Sequence, residues 1–243
     1  MAENSKIEWT DHSVNLWVGC QAVSMGCANC YAKAQVERYG GDFSTRRRTA
    51  LENWKKPYRW NRYAEANGIR FKVFANSLSD FFDKKVPSSW RDDAWDLIAK
   101  TPHLDWILVT KRPQNILKMK MLPPGWGKGW PNVWILVTAE NQEEADRRIP
   151  LLLEITAAIH GVSIEPMLGP VDLRPFPGLN WAIAGGESGR GRRPINLDWM
   201  RDVRDQCAEM GIAFFGKQKD KVTDLPPDLL VREFPKVREL EHA

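Results

Sequence analysis

Three cysteines fall between positions 20 and 30, in the stretch C-QAVSMG-C-AN-C-YA: Cys20, Cys27 and Cys30. Spacing of i and i+3 puts Cys27 and Cys30 on one side of a helical turn, where both thiolates reach the same metal. Ser24 and Gly26 let the loop before them fold sharply, and amides at a helix start would donate to the thiolates and offset their gathered charge. A tetrahedral zinc site needs a fourth protein ligand, and its candidates, His12, His103, His160 and Cys207, have no telling spacing. Three thiolates suit a four-iron cluster with one iron left open to a cofactor or substrate, whereas a cluster that only carries electrons takes four. The competing reading is three thiols with a packing role alone. Cys207, in a helical pattern between Val203 and Met210, reads as core.

The elements that would position these thiols are legible as apolar runs. Runs rich in branched and aromatic residues recur at 15–20, 70–76, 105–111, 132–140, 160–166, 180–187 and 212–218. Several hardly alternate, as expected of parallel strands covered on both faces. Helical patterns lie between them, with Ser88 or Ser89 expected to cap 88–101, and Asp198 and Gly211 expected to bound 198–211. Strands alternating with helices predict an α/β fold of right-handed crossovers, either an open doubly wound sheet or a closed or partial barrel. One domain over 1–243 is expected, with an insertion at about 40–67 and a peripheral tail from about 218.

Charged and polar residues follow the apolar runs: Lys111 and Arg112, Glu165, Gly185, Gly186 and Glu187, then Lys217. In a β/α barrel every strand ends on the same face, so these groups would converge on one mouth; the plainer reading is that strands end in polar loops. Gly185 and Gly186 would either admit a ligand to the backbone or make a tight turn. The loop GGESGRGRR lacks both the Walker spacing and the G-x-G-x-x-G order, yet its amides and Arg190, Arg192 and Arg193 suit phosphate.

An apolar fraction of 43% and a charged fraction of 27% are ordinary for a globular chain, and no apolar run is long enough to span a bilayer. The N-terminal residues carry no export signature, which predicts a cytoplasmic location and reduced thiols. Net charge is only +4, but Arg46, Arg47 and Arg48 form a second cluster able to attract phosphate. The twelve tryptophans fall mostly within apolar runs, where packing explains them better than base stacking.

The arrangement resembles the radical S-adenosylmethionine superfamily, whose signature is C-x3-C-x2-C after the first barrel strand. Here the first interval is six residues, and the aromatic residue is Tyr31, just after the last cysteine. With IEWTDHSVNLWVGC, SMGCANCYA, VTKRP, VSIEPMLGPVDL, AGGESG and FFGKQ taken together, the chain is similar to a phage- and bacteria-associated family of radical-SAM-like proteins described by a three-cysteine motif. The resemblance implies a partial (β/α) TIM-type barrel with about six or seven mostly parallel strands and a [4Fe-4S] cluster on Cys20, Cys27 and Cys30. It further implies S-adenosyl-L-methionine on the fourth iron, cleaved to a 5′-deoxyadenosyl radical, with an electron donor and a three-cysteine-motif partner protein. A superfamily Gly-Gly-Glu strand end contacts the methionine amine, although here Gly185, Gly186 and Glu187 follow a late strand. Glu187 or Glu165 would take the amine, and Lys111, Arg112 or Lys217 a carboxylate or phosphate. The Arg clusters point to a nucleic acid or nucleotide substrate. The alternative function is a non-catalytic, metal-stabilised nucleic-acid-binding or phage–host interaction protein.

Overall fold

The computed structural model describes residues 4–189 and 191–237. Its strands are β1 (His12–Val14), β2 (Trp17–Val18), β3 (Arg47–Arg48), β4 (Phe71–Ala75), β5 (Leu104–Thr110), β6 (Val133–Thr138), β7 (Ile159–Ile164), β8 (Trp181–Gly185) and β9 (Ala213–Gln218). The helices are α1 (Tyr31–Arg38), α2 (Leu51–Ala66), α3 (Ser88–Ala99), α4 (Pro113–Lys118), α5 (Gln142–Leu153) and α6 (Leu197–Met210). Seven strands form one sheet in the order β1-β4-β5-β6-β7-β8-β9, and every pairing in it is parallel. This is the partial β/α barrel expected.

Side chains leave a strand alternately to its two faces, and both faces here are apolar. Val73, Leu108, Ile135, Val162 and Ala182 pack against helix residues such as Trp95, Ile98, Ile149 and Val203. Their neighbours Phe74, Ile107, Trp134, Ile183 and Phe215 form a second cluster with Trp9 and no helix residue, which is the barrel interior. Burial on both faces is why the runs hardly alternate.

The run at 15–20 does not make the first barrel strand. That strand is β1, which stops before Asn15: the Asn15 side-chain amide donates to Ser77 Oγ at 3.1 Å and its side-chain carbonyl accepts from Leu78 N at 2.8 Å. β2 then pairs antiparallel with β3 as a separate ribbon. The 40–67 stretch supplies β3 and α2, whose Trp60 stacks on His12 with ring centroids 4.3 Å apart. Past Gln218 the chain turns back along the free edge of β9, where Gly216 N donates to Val231 O at 3.0 Å and Glu233 N to Phe214 O at 3.0 Å. An edge covered in this way is closed to other chains.

Two caps differ from expectation. Asn196, not Asp198, caps α6, because its side chain reaches Asp198 N at 2.9 Å. Neither Ser88 nor Ser89 caps α3, which starts after Pro87 with no side-chain cap. Gly211 does end α6, at φ +69°, a left-handed value that glycine adopts without a Cβ clash. Among the described residues no helix is long and apolar enough to cross a membrane.

Candidate functional site

Each sheet strand delivers its last residues to one rim, and the cysteine loop folds over that rim. Cys20 follows β2, with its N–H donating to Phe43 O at 2.9 Å. Gly19 before it has φ +106°, and a Cβ there would meet the Thr45 carbonyl at 2.2 Å, so only glycine lets the loop pass. Cys27 lies in the short turn Met25–Cys27, and Cys30 directly precedes α1. All three are half-buried, whereas Cys207 is buried in the helix-side core.

Two buried carboxylates hold this loop down. Glu140, just past β6, accepts from Gly26 N at 3.1 Å and from the Ser24 hydroxyl. Burial alone would raise its pKa, but Lys111, the Ser24 bond and Arg148 outweigh it and hold the carboxyl below its ordinary value. Glu187, past β8, accepts from Asn29 Nδ2 at 2.9 Å and from Arg193 through both its backbone N–H, at 2.8 Å, and its guanidinium. Arg193 Nη2 also donates to Met25 O at 3.1 Å. Tyr31 adds a third anchor, its hydroxyl donating to Ser77 O at 2.8 Å after β4.

Between the loop and the rim is a cavity of about 330 Å³, lined by all three cysteines. Lys111 and Arg112 line it from the end of β5, Glu165 from β7, Gly186 and Glu187 from β8, and Lys217 from β9. Lys217 pairs with Glu165. Arg112 is tied to Asp80 at 2.8 Å and reaches Cys20 Sγ from both terminal nitrogens at 3.5 Å. Burial, then Asp80, push the Cys20 thiol above its ordinary value, against the pull of Arg112 toward the thiolate. Among the described residues Lys111 makes no ion pair, and its charge acts on Glu140.

The donor chemistry fits a three-thiolate group better than a site with a histidine. His12 stacks on Trp60, His103 lies 3.7 Å from Glu65, and His160 Nε2 sits 2.5 Å from Ile155 O. These histidines enter or begin strands, at the end of the sheet away from the cysteines. Among the described residues, no three Cys, His, Asp or Glu side chains converge on a single-ion position.

Several expected ligands have other roles here. A Cβ on Gly186 would stand 2.1 Å from the Lys219 carbonyl, so this glycine serves close backbone approach. Gly186→Ala is expected to lower stability by about 1–3 kcal/mol, read as a drop in the urea midpoint; an unchanged midpoint would contradict the packing role. Gly185 ends β8 beside Glu165, with its Cβ position 3.3 Å from Glu165 Cγ. Arg46, expected in a phosphate-attracting cluster, has a side chain that is 5% exposed and ion-paired with Asp83. Arg48 pairs with Asp93 at 2.7 Å and stacks over Trp54, Arg193 is held by Glu187, and Arg192 lies 3.5 Å from Asp220. Arg47 is exposed, and Arg190 lies outside the described residues. Asp80, Asp83 and Arg148 carry no local signal in the sequence, and Glu140 carries only its place at the end of the apolar run at 132–140.

Solved structures of spore photoproduct lyase share the fold. A cysteine-to-alanine mutant, with dinucleoside spore photoproduct, aligns at a TM-score of 0.50 and 12% identity. A second complex with the same dinucleoside aligns at 0.49 and 11%. Each alignment covers 85% of this chain and 63% of the lyase, so the chain spans less than two thirds of that protein's length. At this identity the likeness is one of fold alone. No curated protein matches the chain by sequence. The family model described as "Protein of unknown function (DUF5131)" matches residues 4–229, and the chain belongs to that family.

Proposed function

We propose that the protein is a radical S-adenosylmethionine-type iron–sulfur enzyme acting on a nucleotide or nucleic acid. The observation that carries this reading is the convergence of Cys20, Cys27 and Cys30 with the charged strand ends on one cavity of a parallel partial barrel. Cys20, Cys27 and Cys30 would hold a [4Fe-4S] cluster, and their number leaves one iron free for S-adenosylmethionine. Bound together, cluster and cofactor supply a 5′-deoxyadenosyl radical; the protein supplies binding, orientation and shielding. Glu140 and Glu187 fix the thiol-bearing loop, Lys111 offers its ammonium to a carboxylate or phosphate, and the Glu165–Lys217 pair presents both charges to the cavity. Trp9 and Phe74 line the cavity as an apolar floor.

The dinucleoside held by spore photoproduct lyase supports a nucleotide-type substrate, and exposed Arg47 and Arg192, which is paired with Asp220 at 3.5 Å, are the cations of the two Arg clusters offered to its phosphates. The same reading has the chain act as one cytoplasmic domain with an electron donor and a three-cysteine-motif partner protein. Reconstituted without oxygen and given dithionite and S-adenosylmethionine, the protein is expected to release 5′-deoxyadenosine. A protein with a full cluster that releases none would favour the non-catalytic binding module.

A further inference from the structure

Cys20 differs from the other two cysteines in what surrounds its sulfur. Both terminal nitrogens of Arg112 approach it at 3.5 Å, while the polar side-chain contact described for Cys27 is the Ser24 hydroxyl, at 4.0 Å. The Arg112 side chain is 7% exposed and fixed at several points. Its Nη1 donates to Asp80 Oδ2 at 2.8 Å, its Nη2 to Gln21 O at 2.6 Å, and its backbone N–H to Thr110 Oγ1 at 2.9 Å. Asp80 is fixed in turn by Thr110 Oγ1 at 2.8 Å and Lys111 N at 3.0 Å. Behind this pair lies a second one, Asp83 with Arg46, and Asp83 is 4.0 Å from Arg112. Arg112, Asp80, Asp83 and Arg46, with buried Arg91 donating to the Asp83 carbonyl at 2.9 Å, thus form a buried charged group with one cationic end turned to Cys20.

We propose that Arg112 is a positioning residue that tunes the redox balance of the metal centre through the Cys20 sulfur, an inference that rests on the cluster reading above. Adding an electron to a thiolate-bound cluster increases negative charge on its sulfurs, and hydrogen bonds and positive charge at a sulfur stabilise that reduced form and raise the potential. Burial keeps the guanidinium unscreened. The fork sets both terminal nitrogens on one sulfur while Nη1 is also tied to Asp80 and Nη2 to the Gln21 carbonyl, which a lysine ammonium does not reproduce. Asp83, on the far side of Arg112, opposes the effect, so the two residues should act with opposite sign.

The test is a potentiometric titration of the reconstituted full chain, followed by electron paramagnetic resonance, for wild type, Arg112→Gln, Arg112→Lys and Asp83→Asn. Arg112→Gln is expected to shift the oxidised-to-reduced ratio at a fixed potential about tenfold toward oxidised, about 59 mV for one electron. Arg112→Lys should fall between it and wild type, and Asp83→Asn should shift the ratio toward reduced. Arg112→Gln and Asp83→Asn moving the midpoint the same way, or not at all, would overturn the inference. If the Arg112 variants do not fold, Asp83→Asn decides alone, and a midpoint that fails to rise overturns it. Wild-type protein that takes up no iron would instead overturn the cluster reading itself.

Discussion

Arg148→Met is expected to lower stability by about 3–5 kcal/mol at neutral pH, because it strands a buried carboxylate without its cation. The Arg148 and Glu140 side chains are 1% and 0% exposed, with Nη1 2.8 Å from Glu140 Oε2. The same nitrogen donates to Thr138 O at 2.6 Å, and Nη2 lies 2.8 Å from Glu144. Wild-type Glu140 is held below its ordinary value of 4.5. A carboxyl depressed on folding contributes stability above that value, and the contribution is lost as pH falls through the folded pKa. In Arg148→Met, Lys111 and the Ser24 bond still oppose burial but the pull of Arg148 is gone, so the folded-state pKa of Glu140 rises from its wild-type value. The variant's deficit should therefore narrow as pH falls from the variant's folded pKa through the wild-type one, which lies below 4.5. Urea titrations of both proteins at pH 7 and at about pH 4 check this, and a gap that is small or does not narrow would contradict it. Because Glu140 also grips Ser24 and Gly26, the variant should bind metal less firmly than its loss of stability alone requires.

Cys20→Ala, Cys27→Ala and Cys30→Ala are each expected to abolish the visible iron–sulfur chromophore of the reconstituted protein, while Cys207→Ala keeps it. The first three thiols line the cavity, and three-point attachment leaves no spare thiolate to replace a lost one. Cys207 is buried in the helix layer with its thiol pushed up to about 12 by burial, which keeps it protonated and inert. Its replacement removes packing volume and should lower the melting temperature with little effect on iron. Equal chromophore in all four variants would contradict the assignment.

The fold was legible where two-sided burial leaves a strong imprint on the sequence. The runs at 105–111, 132–140 and 180–187 are apolar on both faces because helices cover one and the barrel interior takes the other, and they became β5, β6 and β8. The run at 15–20 misled because the signal of an apolar stretch carries no information on where Asn15 will turn its side chain. The rim of the cavity was legible for the same reason as the strands: Lys111, Arg112, Glu165, Glu187 and Lys217 stand where apolar runs end, and a parallel barrel gathers those ends. Pairing between them was not. Arg46 reads as a surface charge beside Arg47 and Arg48, and only the return of the chain at Asp83, 37 residues on, makes it a buried ion pair. The grip of Glu140 on the cysteine loop spans 114 residues to Gly26 and leaves no local signature either.

The most direct test of the central claim is the iron, sulfide and zinc content of wild-type protein purified and reconstituted without oxygen. About four irons and matching sulfide per chain, with a brown chromophore, are expected of a cluster on three thiolates. Stoichiometric zinc with no reconstitutable iron would contradict it, and would make Cys20, Cys27 and Cys30 ligands of a structural ion.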